Sequence, residues 1–125
     1  MITVKVRSYD MMAYIPEFND GQSGAKLSAC ESMLIHPGEV ADVRTGIAFT
    51  IPKGYEGQIR NVQSLLIKRV ALLGGIQTID SSNNKEVVLQ LVNHSGRTYE
   101  LKLGTPVAQL VVCSTETVQL ERTKV

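Results

Sequence analysis

Short apolar runs, interrupted about every ten residues by Gly, Pro, Asn or Ser, constrain this chain more than any other feature of its sequence. Each run is long enough for one strand only, and no segment carries the 3.6-residue period of a long helix. Turn sequences such as His36-Pro37-Gly38 and Pro52-Lys53-Gly54 place residues that favour chain reversal between the runs. The sequence therefore predicts an all-β fold, arranged as a double-sheet or jelly-roll-like barrel.

The pattern predicts eleven strands, and Ser64–Leu73 is compatible with a short helical turn. The predicted strands are Ile2–Arg7, Ala25–Ala29, Ser32–Ile35, Glu39–Arg44, Ile47–Ile51, Tyr55–Val62, Val70–Leu73, Gly75–Asp80, Glu86–Asn93, Arg97–Leu103 and Pro106–Cys113.

Length and composition indicate one compact domain spanning residues 1–125, because 125 residues that are 43% hydrophobic suffice for a single core. A formal net charge of +1 lacks the basic excess of nucleic-acid-binding proteins. No apolar run approaches the roughly 20 residues that cross a bilayer, and the N-terminus does not open a signal peptide. We expect a protein of the cytoplasm that binds neither nucleic acid nor membrane.

Two further features concern packing. Cys30 and Cys113 are too few and too far apart for a zinc motif, so we expect packed thiols rather than a disulfide. The runs Val87–Leu89 and Val107–Val112 are apolar on both strand faces. Such strands must be covered on both sides, and a neighbouring subunit is one way to cover them.

Several motifs, in this order and spacing, resemble the trimeric dUTPases, and the resemblance runs from about Ser23 to Val111. The motifs are Pro37-Gly38-Glu39, Arg44-Thr45-Gly46-Ile47, the segment Ile51–Gly57, Ile79-Asp80, Asn93, and the segment Gly104–Leu110. The resemblance implies a dUTPase-like jelly-roll that assembles as a homotrimer.

The resemblance also implies that residues 114–125 include a C-terminal strand exchanged with a neighbouring subunit. Ser114–Lys124 fits such a strand, because Val118 and Leu120 alternate with polar residues. The alternative is a polar tail in water.

The first family motif, A-G-x-D-L, contains a carboxylate that helps to hold the magnesium ion bridging the triphosphate. The corresponding stretch here is Ser23-Gly24-Ala25-Lys26-Leu27, so an ammonium replaces the carboxylate. Hard divalent cations need oxygen ligands, which Lys26 cannot supply. Lys26 is either a cation that contacts phosphate directly or an ordinary surface lysine.

The second family motif, P-R-S-G, offers an arginine and main-chain amides to phosphate. The corresponding segment is Asn61-Val62-Gln63-Ser64-Leu65, and in either register of one residue the arginine is absent. Ser64 remains a candidate phosphate-binding residue. Arg60, Lys68 and Arg69 lie nearby, as solubilising charges or as displaced phosphate ligands.

The third motif, G-V-I-D-x-x-Y-x-G, reads the uracil, and its Asp orders the attacking water. Asp80 is retained, as the one candidate catalytic residue, whereas Asn83 replaces the Tyr that stacks on the deoxyribose. Turn statistics alone would also place Asp at the start of Asp80-Ser81-Ser82-Asn83. In the fourth motif, G-x-R-I-A-Q-L, Pro106 replaces the Arg and Gln109 remains as a candidate phosphate-binding residue. The family's Gly-rich arm is not found before Val125.

Because losing even one group of transition-state contacts slows a reaction by roughly a hundredfold or more, these replacements predict a non-enzymatic protein. It would act as a structural or interaction module of a virus or phage, in the host cytoplasm or the virion, with a protein partner. Two alternatives remain: a module that sequesters a nucleotide, and a divergent active dUTP pyrophosphatase. No cofactor is predicted unless the enzyme alternative holds. Magnesium would then be needed, with only scattered candidate ligands, Glu31, Asp42 and Glu56.

The last four residues, Arg122-Thr123-Lys124-Val125, have the form of a peptide whose terminal carboxylate a PDZ domain captures. The alternative is a solvated terminus.

Overall fold

The computed structural model describes all residues from Met1 to Val125. Eleven strands and one helix of four residues make up its regular structure. They are β1 (Lys5–Ser8), β2 (Ala25–Ser28), β3 (Met33–Ile35), β4 (Val40–Arg44), β5 (Ile47–Thr50), β6 (Tyr55–Arg60), α1 (Gln63–Leu66), β7 (Val70–Leu72), β8 (Gln77–Ile79), β9 (Val88–Asn93), β10 (Tyr99–Leu101) and β11 (Pro106–Ser114).

The strands form four antiparallel groups. The largest is a four-stranded sheet in the order β2-β11-β6-β8, and a three-stranded sheet has the order β4-β9-β7. Two pairs, β1 with β5 and β10 with β3, complete the barrel. Neighbours in these groups are distant in sequence, so the fold depends on long-range pairing.

One face of each large sheet packs on a common aliphatic core of 20 buried residues. In β6 the alternation is complete, because Gly57 and Ile59 are buried while Glu56, Gln58 and Arg60 reach the outer face. Phe49 is the one aromatic side chain among these 20 residues, and Leu, Ile, Val and Ala account for the others. A slip of one residue would turn the buried side chains of a strand outward, so the register of the four-stranded sheet is strongly specified. The polar residues of β6 accordingly lie on its outer face.

An ion-pair network joins the N-terminal segment to the barrel. The Arg44 guanidinium donates from Nη2 to Glu86 Oε1 at 2.7 Å and from Nε to Glu86 Oε2 at 3.1 Å, and its Nη1 reaches Asp10 Oδ2 at 3.3 Å. The hydrogen bonds to Glu86 raise the pKa of Arg44 above its usual range. The segment passes closely over Gly46, whose φ is 72° and where an added Cβ would lie 3.0 Å from Asp10 Cβ. Glycine is needed there on both counts.

All eleven predicted strands are present, with shorter ends in most cases. The predicted helical turn within Ser64–Leu73 is α1. The first strand is the least accurate: Ile2–Arg7 was expected, but pairing with β5 covers only Lys5–Ser8. Both cysteines are free thiols, as predicted, and burial raises the pKa of Cys30.

Two further observations concern the C-terminal segment and the length of the helix. Residues 115–125 form no strand within the chain, and the side chains of Val118 and Leu120 are 70% and 91% exposed. The single helix is far too short to span a membrane, and no other helix is present.

Candidate functional site

A row of three polar residues crosses the outer face of the four-stranded sheet. Gln109 on β11 lies directly opposite Lys26 on β2 and, on its other side, directly opposite Arg60 on β6. Residues paired in this way place their side chains on one face, with Cβ atoms about 5 Å apart. Two candidate phosphate-binding residues, Lys26 and Gln109, are therefore brought together, and Arg60 joins them.

A bulge in β11 creates this row. Pro106 pairs with Ser28 whereas Ala108 pairs with Leu27, so the extra residue lies at Val107. Without the bulge, Lys26 would face Ala108 rather than Gln109. Because one residue of slip moves a strand's side chains to the opposite face, the bulge is what aligns the amide with Lys26, whereas the pairing of Gln109 with Arg60 is regular.

The Gln109 side chain is held in place by main-chain groups. Its Nε2 donates to the carbonyl of Asn61 at 3.1 Å, and Asn61 is itself fixed because its Oδ1 accepts from the Leu72 amide at 2.7 Å. An added Cβ at Gly24 would lie 3.0 Å from Gln109 Oε1, so the glycine of the first motif leaves room for the amide. The amide is therefore preorganised.

The two cations differ in their surroundings. Arg60 donates from Nη2 to Gln58 Oε1, and its buried Nε has no hydrogen-bond acceptor in the chain. Lys26 is exposed and forms no ion pair or hydrogen bond. It borders an open cleft of about 300 Å³ that Ser28, Gln22 and Glu17 also line.

The second-motif segment contacts this row through the Asn61 carbonyl, and none of its side chains forms a hydrogen bond with the row. Of the two positions that the register allows for the expected arginine, Val62 is only 4% exposed and packs in the core, whereas Gln63 is exposed. Ser64 lies on α1 with an exposed side chain that makes no hydrogen bond in the chain, and its role as a phosphate ligand stays a prediction.

Asp80 lies at a different part of the sheet. It opens the predicted turn, which the Asn83 amide closes by donating to the Asp80 carbonyl at 3.0 Å. Its carboxylate is exposed and makes no hydrogen bond within the chain. Since Ile79 pairs with Gly57 and Gln109 pairs with Arg60, Asp80 lies about four residues, or about 13 Å, along β6 from the row. One chain alone does not bring Asp80 and Gln109 together.

The donor groups at the row do not fit magnesium. Mg²⁺ takes a near-octahedral shell of oxygens, and here an ammonium and a guanidinium flank a carboxamide. The scattered carboxylates do not converge: Glu31 accepts from the Arg44 amide, Asp42 lies on β4, and Glu56 accepts from Gln58. No three His, Cys, Asp or Glu side chains form a group that holds a metal.

Comparison with known proteins identifies the family. The dUTPase family model matches residues 12–125. Deoxyuridine 5'-triphosphate nucleotidohydrolase of a Picosynechococcus species is 39% identical over 102 residues, which cover 80% of this chain and 72% of that protein. The Clostridium tetani protein of the same name is 31% identical, covering 98% and 86%.

Solved structures agree on the fold. The dUTPase of Staphylococcus phage phi11 superimposes with a TM-score of 0.91 at 22% identity, covering 98% of this chain and 97% of that one. The phage 80alpha dUTPase gives a TM-score of 0.90 at 20% identity, covering 98% and 96%. These structures and the family model together define an all-β fold of the dUTPase type. The chain belongs to the dUTPase family.

The comparisons correct one prediction from the sequence. The expectation of a non-enzymatic structural or interaction protein is wrong, because relatives that match most of the chain at 30% identity or more are dUTP nucleotidohydrolases. That prediction gave too much weight to individual motif letters and too little to the scaffold as a whole. These relatives are bacterial and give no support to a viral origin or a protein partner.

Sequence reasoning missed the alignment of Arg60 with Gln109 and the network around Arg44. The alternation of Glu56, Gln58 and Arg60 with buried residues was a usable signal for an outward polar face. The pairing partner of Arg60, however, depends on the long-range register between β6 and β11, which no local pattern marks.

Proposed function

We propose that this chain is a divergent dUTP pyrophosphatase, which hydrolyses dUTP to dUMP and pyrophosphate. The observation that carries the proposal is the Asp80 carboxylate. It is retained at the family position that orders the attacking water, and the chain leaves it without a hydrogen-bond partner. A turn that needed Asp for its own structure would use the carboxylate, whereas this turn is closed by the main chain.

The chemistry assigned to these residues is modest but sufficient. Asp80 accepts a proton from water as the oxygen attacks phosphorus, and pyrophosphate leaves. Phosphoryl transfer depends mainly on positioning and on stabilising charge. Gln109, held by the Asn61 carbonyl, is a rigid donor for a phosphate oxygen.

The proposal requires assembly. Because Asp80 lies about 13 Å along the strands from the row and two strands away from Gln109, a complete site needs Asp80 of one copy beside Gln109 of another. The dUTPase family is homotrimeric. We therefore propose a homotrimer of single-domain chains, spanning residues 1–125, with clefts between copies.

Pyrophosphate release from dUTP by the purified chain tests the function. We expect turnover with dUTP and markedly less with dTTP and dCTP, measured by a coupled pyrophosphate assay. Heat-denatured protein controls for spontaneous hydrolysis. Tight binding of dUTP without pyrophosphate release would reject the enzyme and leave the nucleotide-sequestering alternative.

The C-terminal residues are proposed to hold the trimer together. Val118 and Leu120 are exposed in the single chain, and an apolar groove of about 380 Å³ lies near the N-terminus. It is lined by Met1, Ile2, Val4, Val6, Pro16, Phe18, Phe49, Leu110 and Val112. Two alternating apolar side chains from a neighbouring copy match such a groove.

The double variant Val118→Ser with Leu120→Ser should therefore weaken the trimer. Fully burying one such side chain stabilises by about 1.5–3 kcal/mol, so we expect at least a tenfold shift in assembly. Sedimentation velocity over a dilution series measures it. Thr117→Ala with Gln119→Ala alters the alternate positions and should leave assembly unchanged. An unaffected trimer in the first variant would contradict the exchange.

A further inference from the structure

The row of Lys26, Gln109 and Arg60 has a composition opposite to that of a magnesium site. Its two charged groups are cations, and no carboxylate is paired with any of the three residues in the sheet register. A divalent cation at this position would be repelled by Lys26 and Arg60. A phosphate group would be attracted by both.

The surroundings of the cations leave them available to an anion. Lys26 has no acidic partner, and the Arg60 guanidinium donates only from Nη2, to the neutral amide of Gln58, while its buried Nε has no acceptor. An unpaired buried donor costs free energy, which an oxygen of a bound phosphate would recover if a change of rotamer exposed Nε on the outer face. Hydrogen bonds between Arg or Lys and phosphate are among the stronger ones in proteins.

The geometry also suits a polyphosphate. Adjacent antiparallel strands lie about 4.8 Å apart, so Lys26 and Arg60 are separated by about 10 Å with Gln109 between them. Their flexible side chains can converge on neighbouring phosphates while the fixed Gln109 amide contacts the phosphate between them. Glu17 is the one carboxylate that lines the cleft beside Lys26, which makes it the residue to test for a metal-dependent alternative.

We propose that this chain binds the phosphates of its nucleotide directly through Lys26 and Arg60, on either side of Gln109, without a divalent cation. The inference rests on the proposed function for the identity of the nucleotide. The proposed function states that the nucleotide is cleaved, whereas this inference states how its phosphates are held.

Isothermal titration with a non-hydrolysable imido analogue of dUTP, in EDTA and in excess MgCl₂, tests the proposal on the full chain. We expect dissociation constants within about threefold of one another in the two buffers. Lys26→Ala and Arg60→Ala should each weaken binding about tenfold or more, as expected for a charge-assisted hydrogen bond. Lys53→Ala and Arg97→Ala remove exposed cations away from the row and should not change binding.

Lys26→Asp gives the sharpest result, because it restores the family's carboxylate. This variant should bind poorly in EDTA and regain affinity when MgCl₂ is added, so that one substitution introduces metal dependence. Lys26 is exposed, so its variants test the proposal even if Arg60→Ala fails to fold.

Wild-type binding that requires MgCl₂ would overturn the proposal, and its loss in Glu17→Gln would identify the metal ligand. Equal binding by the wild type and Lys26→Ala in EDTA would also overturn it. Analogue binding in EDTA without pyrophosphate release from dUTP would instead reject the enzymatic function while leaving this mode of phosphate binding in place.

Discussion

Asp80→Asn is expected to lower the rate of pyrophosphate release from dUTP by about 10² to 10⁴, which is the usual contribution of a general base. The amide keeps the shape of the side chain but cannot accept the proton of the attacking water. Binding of the non-hydrolysable analogue should change little, because Asp80 is assigned to the attacking water and not to holding phosphate. The loss should therefore appear in kcat rather than in KM.

The structure makes this variant informative, because the turn does not depend on the carboxylate. The Asn83 amide donates to the Asp80 main-chain carbonyl, which the substitution leaves intact. Asp42→Asn removes one exposed carboxylate from β4 and serves as the matched control. Full activity in Asp80→Asn, together with an unchanged thermal transition, would show that Asp80 is only a turn residue and would contradict its catalytic role.

The strands were predictable because their signals are local. An apolar run bounded by Gly, Pro or Asn predicts a strand wherever it occurs, and Pro106 at the start of β11 fits the one place in a strand that tolerates the loss of an amide donor. The ends were less accurate, since they depend on partners. Ile2 belongs to an apolar run, but no strand is available to pair with it.

The candidate site was only partly predictable, for a physical reason. Lys26, Gln109 and Asp80 were each identified from their positions in the motifs, but their spatial relation depends on register between strands that are up to about eighty residues apart. The bulge at Val107 decides that register, and a single sequence carries no clear mark of it. In the sequence Arg60 is one of several charges near the second motif, and only the register between β6 and β11 singles it out.

The prediction of a non-enzymatic protein was wrong because it took the motifs one at a time. Each replacement, such as Lys26 for the carboxylate, was counted as a loss of catalytic power with nothing gained. The structure places one replacement, Lys26, beside the retained Gln109, with Arg60 on the other side, so that two cations flank a fixed amide. A change of residue type that looks like decay in a linear motif is compatible with a different way of holding the same phosphates.

Asn93 is the buried polar residue on which the barrel depends most. Its side chain is fully buried and makes four hydrogen bonds. Nδ2 donates to the carbonyls of Ile35 and Arg97 at 2.8 and 2.7 Å, and Oδ1 accepts from the amide and hydroxyl of Ser95 at 2.9 and 2.7 Å. The side chain thereby joins the end of β9 to β3 and to the chain leading into β10.

Asn93→Ala is therefore expected to lower the free energy of unfolding by about 3–5 kcal/mol, because it leaves several buried polar groups without partners. This is a large part of the 5–15 kcal/mol that is typical of a single domain. Urea unfolding followed by circular dichroism measures the change. Gln90→Ala, which removes an exposed amide from the same strand, should stay within about 0.5 kcal/mol of the wild type.

If Asn93→Ala does not fold, Ser95→Ala provides a milder test of the same network. It removes only the Ser95 hydroxyl, whose oxygen lies 2.7 Å from Asn93 Oδ1 and 2.9 Å from the Arg97 carbonyl oxygen and accepts from the Arg97 amide, so a loss of about 1 kcal/mol is expected. A stability loss below about 1 kcal/mol in Asn93→Ala would mean that water or a neighbouring group satisfies the exposed carbonyls.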